Sequence, residues 1–181
     1  MFASFESLKS EEKMHRLIVI GLLLSGTVLA DTVPLYRLYN NRVSDHFYTA
    51  DFNEALRAMS AHGYAYEGVA GKCLPTQEAW SVPLYRLYNG STGDHFYTTS
   101  WQERDQAIAW YGYRSEGITC YVYSWQWAGT CPMYRMWNNK VQDHFYTLSW
   151  QEVLNAGRYY SYSYEGTAAY IFPEAQGQCP Q

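Results

Sequence analysis

The sequence predicts a mainly β domain with three short helices, built as a closed pseudo-threefold repeat, and three observations carry that prediction. The pentapeptide Asp-His-Phe-Tyr-Thr stands at 45–49, 94–98 and 143–147. A strand-like VPLYRLYN at 33–40 returns as VPLYRLYN at 82–89 and as CPMYRMWN at 131–138. Cys179-Pro180 falls where a fourth copy would begin, and no atypical capping unit flanks the array as an open solenoid requires. Two closures meet this pattern, a β-trefoil-like barrel and a small three-bladed propeller.

Residues 31–181 are expected to form this single domain, with units at about 33–81, 82–130 and 131–181. In each unit PLYRLYN has the branched and aromatic content of a strand. Four residues (NRVS, GSTG or NKVQ) make a turn, and DHFYT returns as the second strand. Asp51, Ser100 and Ser149, each followed three places on by Glu, read as capping boxes that open helices of about ten residues. Gly63 and Gly112 supply left-handed stops for two helices, whereas Ser161 in the third predicts a less clean end. Phe52, Trp101 and Trp150, first in each helix, are expected to wedge into the core. YEGV, SEGI and YEGT, with the apolar runs after them, read as one or two further strands, giving about four per unit and twelve in all.

The first thirty residues differ in kind. Lys13, His15 and Arg16 precede LIVIGLLLSGTVLA, a pattern that predicts a secretory signal peptide over 1–30 with cleavage after Ala30. Its apolar run is short against the ~20 residues that span a bilayer, so no membrane span is expected after cleavage. The acidic stretch MFASFESLKSEEK ahead of it suits a signal poorly and makes Met14 an alternative start.

An exported chain with four cysteines is expected to carry two disulfides, for which three connectivities exist. Cys120 with Cys131 and Cys73 with Cys179 are the expected pairs. Cys131 and Cys179 occupy equivalent corners one unit apart and, in a threefold ring, should lie beyond the ~7 Å limit for a bridge.

The formal charge of −4 excludes a nucleic-acid groove, which shows as a surplus of Lys and Arg. Nineteen tyrosines within an aromatic content of 18 % instead favour recognition, because tyrosine presents an apolar face and a polar tip at small entropic cost. Within DHFYT, strand alternation puts Asp, Phe and Thr on one face and His and Tyr on the other. As scaffold, Asp would tie the hairpin turn with Asn40, Asn89 or Asn138, and His would be satisfied by a carbonyl or by Glu67, Glu116 or Glu165. As chemistry, each unit would build its own pocket. Its ligand-binding groups would be Arg37, Asp45, His46 and Tyr48, then Arg86, Asp94, His95 and Tyr97, then Arg135, Asp143, His144 and Tyr146. Aromatic faces beside charged and amide groups suit sugars. Asn89-Gly90-Ser91 is also a glycosylation sequon, although Asn40 and Asn138 hold the same place without one, which favours a structural role.

YRLYN…DHFYT…S-x-x-E…GY…EG, at a period of just under fifty, resembles a family of exported proteins with tandem tyrosine-rich repeats, catalogued as a repeat domain of unknown function. The resemblance covers 33–180. It implies a binding appendage of surface or cell-wall-acting enzymes and carries over no catalytic residues.

The expected function is therefore a secreted, non-enzymatic, lectin-like module with up to three similar sites, no cofactor, and glycans or cell-wall polysaccharide as partners. The alternative is a structural or protein-interaction module that meets a surface protein. A more distant third is a zinc-dependent hydrolase, in which His46, His95 and His144 converge on the threefold axis.

Overall fold

The structure, a computed structural model, describes residues 31–175 and 179–180. The predicted signal peptide lies outside the described residues. Val33–Asn40 forms β1 and Asp45–Thr49 forms β2, antiparallel and in register from Asn40 opposite Asp45 to Tyr36 opposite Thr49. The helix α1 (Phe52–His62) follows, and then β3 (Ala65–Cys73) returns along the other side of β1. Unit two repeats this with β4 (Val82–Asn89), β5 (Asp94–Thr98), α2 (Trp101–Trp110) and β6 (Arg114–Val122). Unit three has β7 (Cys131–Asn138), β8 (Asp143–Thr147), α3 (Trp150–Tyr160) and β9 (Ser163–Ile171). The result is three similar three-stranded sheets with strand orders β2-β1-β3, β5-β4-β6 and β8-β7-β9.

Three strands per unit replace the expected four. The Glu-Gly pair and the apolar run after it lie in one nine-residue strand, and register shifts at Leu35/Tyr36 and Arg37/Leu38 take up the residues that made it read as two. Bulges of this kind leave extra residues unpaired and bend the strand without ending it.

Helix starts obey the predicted caps in half of their chemistry. Asp51 accepts from the amides of Asn53 and Glu54, Ser100 from that of Glu103, and Ser149 from that of Glu152. The glutamates do not return the bond. The cap amides of residues 51, 100 and 149 donate to the hydroxyls of Thr49, Thr98 and Thr147, and those hydroxyls meet the glutamates. At the far end, Gly63 holds φ 77° and Ser161 reaches φ 63° without glycine, so the third helix closes in the same left-handed turn. Phe52, Trp101 and Trp150 are not wedges. They are 56 %, 57 % and 43 % exposed, because a helix that opens at the sheet edge puts its first residue outside the core.

The core has two levels. An axial cluster collects Leu35, Leu84, Met133, Val122, Ile171 and the pentapeptide tyrosines from all three units. A satellite cluster in each unit lies between sheet and helix, as Leu38, Phe47, Ala55 and Ala58 do in the first. Beyond the sheets, three antiparallel bridges join the units: Leu74 with Tyr121, Tyr123 with Tyr170, and Phe172 back to Lys72. Each is made by a pair of backbone hydrogen bonds of 2.7–3.1 Å.

These bridges explain the disulfides, whose expected pairing is wrong. Cys73 bonds Cys120, with Cα atoms 6.2 Å apart, and Cys131 bonds Cys179 at 5.5 Å. Cys73 and Cys120 are the residues just before the two partners of the Leu74–Tyr121 bridge, which sets them diagonally on one face of the junction. Cys179 does not take the place of a fourth unit's first residue. Cys131, which pairs with Ile171 of β9 in its own sheet, takes Cys179 as its disulfide partner, while Phe172 and Glu174 just after β9 meet Lys72 of unit one. The assumed equivalence of Cys131 and Cys179 fails, and the joining of the three units does not depend on it. Among the described residues, no helix is long and apolar enough to cross a membrane.

Candidate functional site

The pentapeptide is the joint between units, and each residue of it has a separate task. Tyr48, Tyr97 and Tyr146 are each 1 % exposed and meet at the centre, with rings edge to face at 5.4–5.5 Å. Tyr48 donates to the carbonyl of Tyr146 (2.7 Å), Tyr97 to that of Tyr48 (2.8 Å) and Tyr146 to that of Tyr97 (2.8 Å). Each hydroxyl also accepts a backbone amide: Tyr48 N–H donates to Tyr97, Tyr97 N–H to Tyr146 and Tyr146 N–H to Tyr48. Burial pushes all three phenols well above their usual range.

Around this centre the aspartates reach across units rather than to their own turns. Asp45 accepts from the backbone amide (2.7 Å) and the Nδ1 (2.6 Å) of His95 in the next unit, and from the Tyr64 hydroxyl (2.5 Å) of its own. Asp94 holds His144, and Asp143 holds His46, in the same way. An ionised carboxylate only accepts, so Nδ1 carries the proton and Nε2 is turned outward. The outward nitrogen lies 4.0 Å from Glu67, 3.6 Å from Glu116 and 3.7 Å from Glu165 in the three units, as the scaffold reading of His expects in part. The turn is tied by Asn instead. Asn40 Oδ1 accepts from Arg42 N–H and its amide donates to the His62 carbonyl.

A second set of joints lies above the first. Arg86 is doubly bonded to Glu54 of the preceding unit (2.9 and 2.8 Å), and its Nε is 3.0 Å from Glu116. Arg135 meets Glu103 and Glu165, and Arg37 meets Glu152 and Glu67. Each guanidinium also covers a phenylalanine of the neighbouring pentapeptide, Phe145, Phe47 or Phe96, at 5.1–5.4 Å. Burial alone works against these charges, but the carboxylates outweigh it and hold the arginines above their usual range. Burial likewise would raise the carboxyls of Glu54, Glu103 and Glu152, yet the hydrogen bonds from arginine and threonine bring them below the usual carboxylate range.

Over each joint opens a cleft. The three have volumes of about 640, 570 and 510 Å³, between units one and two, two and three, and three and one respectively. Their walls are Tyr88, Trp137 and Tyr39, each in ring contact at 4.4–4.6 Å with His95, His144 or His46. Arginine, histidine and two glutamates line every cleft.

Of the expected binding residues, Arg37, His46, Arg86, His95, Arg135 and His144 line these clefts, though between units and not one pocket within each. Asp45, Asp94 and Asp143 do not face ligand. They are at most 1 % exposed and committed to the joints behind the histidines. Tyr48, Tyr97 and Tyr146 are sealed at the centre and cannot reach a ligand either. The three imidazoles sit in three separate clefts, so the converging His₃ set of a zinc site does not form. The group close enough to share an ion, among the described residues, is Asp45, Asp94 and Asp143, and its oxygens already accept from histidine and tyrosine. Burial pushes the Asp143 carboxyl up against the opposing pull of His46 and Tyr162. Asn89 is buried, with its amide donating to the Tyr111 carbonyl and its Oδ1 accepting from the Ser91 amide, the same turn-tying role that Asn40 has in unit one.

Sequence reasoning missed the aromatic walls and the double use of the capping glutamates. Hairpin register held the first signal, since Tyr39, Tyr88 and Trp137 stand directly opposite the histidines. A family model described as a domain of unknown function, DUF5648, matches residues 34–172. No curated protein matches the chain, and no solved structure does.

Proposed function

The chain belongs to the DUF5648 family, a domain of unknown function, and we propose from the geometry of its joints that it is a non-enzymatic carbohydrate-binding module with one site in each cleft between units. One observation carries this reading. Each cleft sets a half-buried aromatic ring beside an arginine, a histidine and two carboxylates that are held in ion pairs and hydrogen bonds. Sugar C–H faces pack on such a ring while hydroxyls exchange hydrogen bonds with held charges, and preorganised groups lose little entropy on binding. Three weak sites on one molecule would give retention on a polysaccharide surface by avidity.

Signal-like residues at the start, two disulfides and a tyrosine-rich surface support secretion. Bridges that run from unit one to two, two to three and three to one support a closed ring. Three separate sheets, each bringing its DHFYT strand to the centre, favour the propeller-like closure over the trefoil. The test of function is a broad glycan array followed by calorimetry with a soluble oligosaccharide. Binding at more than one site per chain, lost cleft by cleft on replacing Tyr39, Tyr88 or Trp137 with Ala, supports the reading. Silence on the array overturns it.

A second reading has its own observation. Trp150, Tyr134 and Tyr164 are in mutual ring contact at 5.1–6.1 Å on the outer side of unit three, and in unit one Tyr36 contacts Phe52 at 5.8 Å and Tyr66 at 6.4 Å. Exposed aromatic clusters of this kind fit a protein partner. Retention of a surface protein that survives mutation of all three clefts supports this alternative.

A further inference from the structure

The three clefts share a floor but not a rim. At positions 57, 106 and 155 on the helices stand Arg57, Gln106 and Asn155, and at 62, 111 and 160 stand His62, Tyr111 and Tyr160. Each of these lines the cleft of its own unit's helix. From the opposite side the first cleft receives Arg114, where the other units have Ser163 and Ala65. Three arginines therefore face two glutamates in the cleft between units one and two, whereas one arginine faces two glutamates in each of the others.

Both additional arginines are available. Arg57 is 64 % exposed and only 3.9 Å from Asp51, itself exposed, and Arg114 is 72 % exposed with its nearest carboxylate oxygen, on Glu116, at 4.0 Å. Neither makes the close bidentate pair that fixes Arg86. The guanidinium carbon of Arg114 sits over the wall ring Tyr88, 5.1 Å from its centre, which places a planar guanidinium at the cleft edge. A planar fork of donors beside an aromatic face matches a carboxylate carried on a sugar ring. We propose that the cleft between units one and two is specific for an acidic sugar, a hexuronate residue of a polysaccharide, while the two clefts rimmed by Tyr111 and Tyr160 take neutral sugars. This rests on the glycan-binding reading above and adds a division of labour to it.

The experiment compares a hexuronic-acid oligosaccharide, the same oligosaccharide with its carboxyls reduced to alcohols, and a sulfated neutral oligosaccharide, titrated at low and moderate salt. The variant pair is R57Q with R114S, which installs the residues that stand at 106 and 163 and leaves every joint intact. Expected are one uronate site per chain and weakening with salt. The variant should lose about tenfold or more in uronate affinity, the worth of one charge-assisted hydrogen bond, with binding of the reduced sugar unchanged. The reciprocal change, Q106R with S163R, should create a second uronate site. Uronate binding that ignores R57Q with R114S, or equal binding of uronate and reduced sugar, overturns the proposal and leaves the glycan reading standing. Preference for the sulfated oligosaccharide over the uronate overturns the choice of carboxylate. Failure of all three sugars to bind overturns both readings.

Discussion

Asp45 of the first unit holds His95 of the second by two bonds at once, 2.7 Å to its amide and 2.6 Å to its ring, although 50 positions separate them. The adjacent pair Asp45 and His46, side by side in the sequence, serve different neighbours. Repetition of DHFYT is therefore a property of the joints: three similar units, each holding the next through the same Asp–His pair, need the same contact three times.

Removing the Asp45 carboxylate leaves the His95 amide, the His95 Nδ1–H and the Tyr64 hydroxyl without their acceptor, and each stranded buried donor costs about 1–3 kcal/mol. Asp45→Ala should destabilise the protein by that order. In double-mutant cycles by urea denaturation, Asp45 with His95 should couple by more than about 1 kcal/mol, while Asp45 with His46 should be nearly additive. Equal coupling in the two cycles contradicts the joint.

Tyr97→Phe removes the hydroxyl that donates to the Tyr48 carbonyl and accepts its amide, at 1 % exposure. Each stranded backbone group costs about 1–3 kcal/mol. A fall in the urea midpoint without a change in slope is expected, and a variant as stable as the parent would show the centre to be dispensable.

The acid limb of stability should come from the interunit glutamates. Hydrogen bonds from Arg86, Arg135 and Arg37 outweigh burial and depress Glu54, Glu103 and Glu152, so these groups bind fewer protons folded than unfolded. Their stabilisation is complete above the ordinary carboxylate range and is lost as pH falls through the depressed values. Asp143, raised by burial, acts with the opposite sign and favours the folded state more at low pH. Urea midpoints measured from pH 6 down to about pH 2 should fall, and the triple change of these glutamates to Gln should flatten that fall. An unchanged slope in the triple variant would place the acid sensitivity elsewhere.

Peptide mapping without reduction should return Cys73–Cys120 and Cys131–Cys179. Replacing Cys131 and Cys179 by Ser should release the tail but leave the three unit bridges, which rest on backbone hydrogen bonds. Loss of the second bond, Cys73–Cys120, should be felt as a junction between units and cost a few kcal/mol, about 2–4.

Elements made by local chemistry were legible in the sequence. Hairpins, N-caps and helix lengths depend on residues within one unit, and repetition displayed each signal three times. What depends on the neighbouring unit was not. Asp45 has a plausible local partner in Asn40, and nothing within its own unit says that the carboxylate turns to His95. Glu54 satisfied the pattern of a capping box, yet Thr49 takes over the cap amide and frees the glutamate for Arg86. The disulfides failed for a similar reason, since their pairing follows the bridge from Leu74 to Tyr121, a contact between strand ends of two units. Cleft walls were readable in principle, because register alone sets Tyr88 opposite His95.

The clefts are the core of the functional account, and one residue reports on them without ambiguity. Among the seven tryptophans, Trp137 forms a cleft wall, whereas Trp101 and Trp150 stand exposed at helix starts. Indole N–H signals of the isotope-labelled protein, followed during titration with a neutral oligosaccharide chosen from the array, test the site directly. Saturable movement of the Trp137 signal, with those of Trp101 and Trp150 unmoved, is the predicted result. Movement confined to Trp101 or Trp150 would place binding on the outer aromatic clusters and contradict the clefts.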